Sequence, residues 1–311
     1  MPEINQLHQI DLHGGRVTKP RWSRNGRFLA IPAESGAISI FDFETERIAQ
    51  TLGSHSGEVT AVDWDYNEGV ILSASADRSV GLWDPKSGVR MPFALSGHKE
   101  PVHSVEWTDE GAYAYTCSLD RVRAWDGCCL LPGWTEEMEE GANRHTGFTV
   151  AACSCQTSLL LGIAAENGAL LVLVSLQSGH LLDQIRMEQT VESLAWSPVE
   201  ELLVVGTDEG IVTYRATQEG FESPTRELTT DTPHVQSLAL SGDGNVLASR
   251  DAEGLKIWNV KTGRMIAALQ EDIETDSGGP QAPGIAFHPD RPLLATANGT
   301  ACRILDLGNL V

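Results

Sequence analysis

A pattern that returns about every 42 residues constrains the fold of this chain more than any other feature. Two adjacent stretches, 54–84 and 97–126, each begin near a histidine and continue into an apolar run that ends in tryptophan. Each stretch closes on a Trp-Asp pair, Trp83-Asp84 or Trp125-Asp126. A period of this length is typical of architectures in which one small unit is repeated and each copy buries its apolar face against the next.

Weaker copies of both tryptophan positions extend the pattern along the whole chain. Counterparts of the closing Trp83 are Phe41, Trp125, Val174, Tyr214, Trp258 and Leu305. The inner tryptophan has its own series, which is Trp22, Trp64, Trp107, Cys155, Trp196, Leu240 and Phe287. Two series with one period predict seven repeats, with approximate bounds 13–53, 54–96, 97–144, 145–186, 187–228, 229–269 and 270–311.

Each repeat reads as a set of short strands separated by turns. The runs 202–207 and 255–258 are apolar or alternating, and polar turns such as 65–69 follow the inner tryptophans. Short strands at regular spacing predict an all-β closed or radial architecture. About four strands fit one repeat, since a strand averages about 5–6 residues and its connections are short.

These repeats resemble those of the WD-repeat (tryptophan–aspartate) β-propeller family over essentially the whole chain. The second and third repeats carry the resemblance, because Gly97-His98 and both Trp-Asp pairs are in register. It implies a single domain, 1–311, folded as a seven-bladed β-propeller of four-stranded antiparallel blades. It also implies that a terminal strand completes the last blade, and we expect residues 4–12 to close the ring beside the C-terminal strand.

The resemblance further implies a hydrogen-bonded tetrad of His, Ser or Thr, Asp and Trp within a blade. The matching positions are His55, Ser73 or Ser75, Asp77 and Trp83, and His98, Thr116 or Ser118, Asp120 and Trp125. A buried indole N–H needs an acceptor and a buried carboxylate needs donors, and a histidine between them can serve both. The set also resembles a Ser-His-Asp triad, but one active site does not need two copies. We therefore expect a structural role and predict no catalytic residue.

Charge excludes some partners and favours others. The formal net charge is −21, which argues against nucleic acid or an anionic membrane, since both require a positive surface. Acidic residues concentrate in the loops that a propeller places on one face, and two of these loops are long. We predict partner contacts in the long loops, at Trp134, Glu136, Glu137, Glu139, Glu140, Glu271, Asp272 and Glu274.

No metal site or cofactor is predicted. The six cysteines match no zinc or disulfide spacing, and residues 1–6 lack the pattern of a secretory signal. We therefore expect a reduced, cytoplasmic protein. His103 and His234 lie beside inner strands and could face the channel, although core or solvated histidines are commoner.

Two functions remain open. The first is a non-enzymatic protein-interaction scaffold, a monomeric propeller that binds a basic or amphipathic protein segment or serves as a subunit of a larger assembly. The second is a propeller hydrolase or small-ligand-binding propeller with a site at the channel mouth. The second requires polar residues from several blades to converge on the channel. The inner-strand segments are mostly apolar in sequence, which favours the scaffold.

Overall fold

The chain forms a closed ring of seven β-sheets in a computed structural model. The structure describes residues 4–53, 55–92, 95, 97–108, 111, 113–126, 132–135, 150–153, 160–176, 178–228, 234–270 and 284–310. In these ranges the helical segments are two short 3₁₀ turns, Glu166–Gly168 and Gly308–Leu310. No helix among the described residues is long and apolar enough to cross a membrane.

Each sheet is one antiparallel blade, and in all but the last blade the strands follow one another in sequence from the channel outward, whereas the N-terminal strand takes the outermost place in the last blade. Blades 1 to 3 contain β2 (Arg21–Trp22), β3 (Phe28–Pro32), β4 (Ala37–Asp42) and β5 (Arg47–Gly53); β6 (Val59–Trp64), β7 (Ile71–Ser75) and β8 (Val80–Trp83); and β9 (Val102–Trp107), β10 (Tyr113–Ser118), β11 (Val122–Asp126) and β12 (Pro132–Thr135). Blades 4 and 5 contain β13 (Val150–Cys153), β14 (Leu160–Ala165), β15 (Leu170–Ser175) and β16 (Leu181–Arg186); and β17 (Val191–Trp196), β18 (Leu202–Thr207), β19 (Ile211–Thr217) and β20 (Gly220–Leu228). Blades 6 and 7 contain β21 (Ser237–Leu240), β22 (Val246–Asp251), β23 (Gly254–Asn259) and β24 (Arg264–Gln270); and β25 (Ile285–Phe287), β26 (Leu293–Asn298), β27 (Ala301–Asp306) and β1 (Asn5–Asp11).

The first strands of the blades surround a central channel. Each contacts the first strands of both neighbouring blades, and the series returns from β25 to β2. Blade 2 is the exception in its outer part, where the bridges Trp83–Arg90 and Val80–Leu95 stand in place of a fourth ladder. The prediction of seven antiparallel blades is confirmed.

The N-terminal strand closes the ring, as predicted. Strand β1 pairs antiparallel with β27 from Asn5–Asp306 to Asp11–Ala301. Two backbone hydrogen bonds, from Leu12 to Thr300 and from Val17 to Gly299, continue the join. The last blade is therefore built from both ends of the described chain, which leaves no unpaired edge on β27.

The core lies between blades rather than within one sheet. Successive side chains of a strand point to opposite faces, so each blade buries apolar groups against both neighbours. Trp64 packs with Ile38 and Ile40 of blade 1, and Trp107 packs with Leu72 and Leu82 of blade 2. The inner tryptophans therefore recur because each fills the interface with the preceding blade.

Hydroxyl groups on the inner strands add a repeated bond between blades. Thr18 and Thr60 each donate through Oγ1 to a carbonyl oxygen of the next blade, that of Val59 or Val102, at 2.6 Å. Ser193 does the same to Val235 at 2.6 Å. These bonds satisfy backbone carbonyls beside the channel and fix the rotation of one blade against the next.

Candidate functional site

The structure joins four side chains of blade 2 in a chain of hydrogen bonds. The Trp83 indole N–H donates to Ser73 Oγ at 2.8 Å, and Ser73 Oγ lies 2.8 Å from His55 Nε2. His55 Nδ1 lies 3.0 Å from Asp77 Oδ2. An indole only donates and a carboxylate only accepts, so the direction is fixed: Ser73 donates to Nε2 and His55 donates from Nδ1.

Blade 3 repeats this arrangement with a threonine. Trp125 Nε1 donates to Thr116 Oγ1 at 3.1 Å, and Thr116 Oγ1 lies 2.8 Å from His98 Nε2. His98 Nδ1 lies 3.2 Å from Asp120 Oδ1. The alternative hydroxyls lie elsewhere, because Ser75 donates to the Gly57 carbonyl and Ser118 donates to the Glu100 carbonyl and to Asp120.

Burial and hydrogen bonding set the charges of both tetrads. Burial lowers the pKa of His55 and of His98, which keeps both imidazoles neutral. Burial alone would raise the pKa of the Asp77 carboxyl, but hydrogen bonds from Ser79 and from the Ser56 N–H outweigh it and hold that pKa well below its ordinary value. The Asp120 carboxyl has a lowered pKa for the same kind of reason.

The connectivity of Ser73, His55 and Asp77 is that of a hydrolase triad, but its surroundings are not. Ser73 has no solvent-exposed surface, and the His55 side chain is fully enclosed. The Ser73 oxygen also accepts the indole N–H of Trp83. A nucleophile needs access to substrate beside an oxyanion hole, so this arrangement acts as a clamp within the blade.

Two other blades hold partial versions that the sequence did not predict. In blade 6, Trp258 Nε1 donates to Ser249 Oγ at 2.8 Å. In blade 5, where Tyr214 and Met187 replace the Trp and the His, the Tyr214 hydroxyl donates to Met187 Sδ at 3.7 Å. The spacing of Ser249 from Trp258 equals that of Thr116 from Trp125, and this spacing could have identified the serine.

One face of the ring, here called the top face, is formed by the turns between second and third strands and the loops that precede first strands. Backbone hydrogen bonds join these two sets, for example from Ala76 to Glu58 and from Asp208 to Thr190. Exposed acids on the described part of the top face are Glu34, Glu100, Glu188, Glu209 and Glu253. The same face also exposes the bases Arg78 and Lys99, and the opposite face exposes both signs of charge, as Arg27, Lys86, Lys261, Arg264 and Arg291 beside Glu44, Glu46, Glu200 and Glu219. The named acids thus outnumber the named bases on the top face but not on the opposite face. The two faces therefore differ in charge.

The predicted partner contacts in the long loops lie largely outside the described residues. This holds for Glu136, Glu137, Glu139, Glu140, Glu271, Asp272 and Glu274. Trp134 lies on β12, where its backbone is paired with Ala124.

The channel is more polar than the sequence predicts. Arg21 Nε lies 2.8 Å from Asp63 Oδ1, and Arg21 Nη2 lies 3.0 Å from Glu106 Oε1, which links blades 1, 2 and 3. The apolar residues of the inner strands, such as Val102 and Trp107, pack between blades. The channel is consequently lined in part by the polar residues that alternate with them.

The two histidines that the sequence placed beside the channel, His103 and His234, can be located in the structure, together with any group of possible metal ligands. His234 Nδ1 lies 2.6 Å from Glu192 Oε1 of the preceding blade, and this partner raises the His234 pKa. Burial lowers the pKa of His103 to about 4. No cluster of three or more His, Cys, Asp or Glu suited to a metal ion occurs within the described ranges.

Comparisons with known proteins agree with this architecture. A family profile described as the anaphase-promoting complex subunit 4 WD40 domain matches residues 3–67, and one described as WD domain, G-beta repeat, matches residues 90–127. The β-propeller domain of Cps50 (Swd1) from Myceliophteria thermophila has a TM-score of 0.82 at 20% identity, covering 98% of this chain and 100% of that one. This second likeness bears on the fold alone.

Several sequence relatives carry names that refer to the anaphase-promoting complex or to WD repeats. The anaphase-promoting complex subunit cdc20 of Dictyostelium discoideum is 25% identical over 285 residues, which cover 89% of this chain and 56% of that protein. The WD repeat-containing protein slp1 of Schizosaccharomyces pombe is 25% identical over 252 residues, 79% of this chain and 50% of that protein. The chain thus spans about half the length of these curated relatives. With seven closed blades, two complete His-Ser/Thr-Asp-Trp tetrads and WD40 profile matches over 3–67 and 90–127, the chain is a β-propeller that contains WD repeats.

Proposed function

We propose that this chain is a non-enzymatic protein-interaction scaffold that works within a larger assembly. Its top face binds a basic or amphipathic segment of a protein partner. The observation that carries the proposal is the unequal charge of the two faces, with exposed acids from blades 1, 3, 5 and 6 on one side of a rigid ring. Complementary charge of this kind steers association and selects partners.

The relatives support an assembly role. Several carry names that place them with the anaphase-promoting complex, as a subunit or as a "cofactor of APC complex". We extend to this chain the coarser part of that description, which is attachment to a multi-protein complex. The buried tetrads support the same reading, because their hydroxyls and imidazoles serve the fold and are closed to substrate.

The long top-face loops belong to the proposed contact surface. Trp134 supplies an aromatic residue of the kind that often anchors interfaces, and Glu136, Glu137, Glu139 and Glu140 follow it in sequence. The segment 271–274 adds three more acids. A basic partner segment could thus meet carboxylates from several loops at once.

Affinity capture from the native cell, followed by mass spectrometry, tests the proposal with paired charge reversals. The top-face pair is Glu100→Lys with Glu188→Lys, and the matched pair on the opposite face is Glu200→Lys with Glu219→Lys. All four residues are exposed and both pairs change the net charge equally. Partners captured by the wild type should be lost with the top-face pair and kept with the other.

Salt provides an independent control. Exposed charge pairs are screened over about 8 Å at physiological ionic strength, so the captured complex should weaken as salt rises. Capture that persists through high salt and through the top-face reversals would remove the electrostatic basis of the proposal. Equal melting temperatures of the two variants establish that lost capture is not lost folding.

A further inference from the structure

The centre of the ring contains a cavity of about 150 Å³. Its polar lining includes Lys19, Ser104, Glu106, Glu192, Gln236 and Ser237, which come from blades 1, 3, 5 and 6. One water molecule needs about 10–15 Å³ by the same measure, so the cavity has room for a small polar group. We call this space the channel cavity.

Lys19 brings an amino group to the channel cavity, and Glu58 is a nearby carboxylate that favours its protonated form. Its ammonium has no hydrogen bond or ion pair among the described residues, and its position is fixed by neighbours on both sides. Thr18 donates to the Val59 carbonyl of blade 2, and Gly284 of blade 7 donates its N–H to the Thr18 carbonyl. A Cβ at Gly284 would lie 2.6 Å from Lys19 Cα, so the two strands are in close contact.

The acids that line the channel cavity are already engaged. Glu106 accepts hydrogen bonds from Arg21 at 3.0 Å and from the Tyr115 hydroxyl at 2.9 Å. Glu192 is paired with His234 at 2.6 Å. Neither carboxylate forms an ion pair with Lys19 in the described part of the chain, and Glu58 interacts with Lys19 without forming a direct ion pair there.

Neutral donors complete the lining. Ser104 and Ser237 are 7% and 8% exposed, and neither hydroxyl has a hydrogen-bond partner among the described residues. The Gln236 side-chain amide likewise has none in that part of the chain. Gln236 is half-buried, so these three side chains offer hydrogen-bond donors to a polar group that enters the cavity.

We propose that the channel cavity binds a small oxyanion, a carboxylate or phosphate group, with Lys19 as its charged contact and Ser104, Gln236 and Ser237 as hydrogen-bond donors. Burial lowers the pKa of the Lys19 ammonium because it removes solvation from the charge. A bound anion supplies the opposite charge and restores the protonated form. The site is separate from the proposed partner contacts and is tested on the isolated chain.

Calorimetric titration at constant ionic strength tests this site with three probes: inorganic phosphate, acetate and a blocked glutamate peptide. We expect saturable one-site binding of at least one probe to the wild type. Lys19→Met should weaken that binding about 10-fold or more, because a charge-assisted hydrogen bond is lost. Lys99→Met removes an exposed lysine of the top face, outside the channel cavity, and should leave the binding of the probe unchanged.

The probes also separate the sources of the oxyanion. Binding of phosphate or acetate alone indicates a free small anion, whereas binding of the blocked glutamate indicates a carboxylate presented by a protein. The double variant Ser104→Ala with Ser237→Ala keeps the charge and should weaken binding by a smaller factor, which guards against a misfolded Lys19 variant. Absence of saturable binding of all three probes to the wild type, or equal binding by Lys19→Met, overturns the proposal.

Discussion

At the scale of single residues, the two tetrads show how one hydroxyl can satisfy two buried groups. Ser73 accepts from the Trp83 indole and donates to His55, at 2.8 Å in both cases. Without it, a buried donor and a buried acceptor would both lose their partner. An unsatisfied buried polar group is costly, whereas a net hydrogen bond contributes little.

The first prediction compares two serines on the same strand. Ser73→Ala should lower the free energy of unfolding by about 2–3 kcal/mol, because two buried groups lose their partner. Ser75→Ala should cost less, since the two bonds of Ser75, 3.3 Å to the Gly57 carbonyl and 3.1 Å from the Asp77 N–H, are longer and only partly buried. Urea denaturation of both variants measures the difference. Equal losses in the free energy of unfolding for the two variants would show that the tetrad stabilises the fold no more than the bonds of Ser75 do.

The second prediction concerns pH. Burial lowers the pKa of His55 and His98 in the folded chain, whereas the pKa of a histidine in an unfolded chain is about 6.5. As the pH falls below that value, the unfolded chain binds protons at these histidines and the folded chain does not. The free energy of unfolding therefore decreases. Asp77 and Asp120 have lowered pKa values, and their contribution is lost only at lower pH.

Chemical denaturation between pH 7 and pH 5 measures this effect. The wild type should lose stability across the interval, and His55→Asn with His98→Asn should show a shallower slope from a lower starting stability. His180→Asn removes an exposed histidine and serves as the control, with the wild-type slope. A double variant that keeps the full slope would place the titration elsewhere.

At the scale of elements, ring closure depends on strand β1. It pairs with β27 from Asn5 to Asp11 and places Ile10 in the core cluster between blades 7 and 1. Removing it would expose the edge of β27 and uncover that cluster. An exposed edge strand is also open to pairing with other chains.

The third prediction is that deletion of residues 1–12 lowers the melting temperature and promotes self-association. Deletion of residues 1–3, which precede β1, is the matched control and should have little effect. Thermal unfolding and light scattering of the two truncated chains give the comparison. Melting temperatures equal to that of the full chain would refute the closing role of β1.

At the scale of the whole molecule, the residues that recur in every repeat could be predicted from the sequence, and residues that occur in a single blade could not. Trp64 and Trp107 recur because every blade interface needs a similar apolar residue, and that need produces a period. Lys19 and Glu106 belong to no series, since their positions matter only after the inner strands converge on one channel. The Ser249–Trp258 pair was missed because blade 6 lacks the histidine that marked the other tetrads.

The charge of the top face depends on the same geometry. Exposed acids far apart in sequence, such as Glu34 and Glu253, come to lie on one side because equivalent turns of every blade point the same way. The repeat therefore determines the scaffold, and the residues that vary between equivalent turns determine what the scaffold can bind.

Zero-length coupling of carboxylates to amines within the captured native complex tests the central claim most directly. The claim predicts that partner lysines become joined to the top-face residues Glu34, Glu100, Glu188, Glu209 and Glu253. Glu44, Glu46, Glu200 and Glu219 on the opposite face are also exposed and serve as internal controls. Coupling confined to that opposite face would contradict the proposal that the top face is the binding surface.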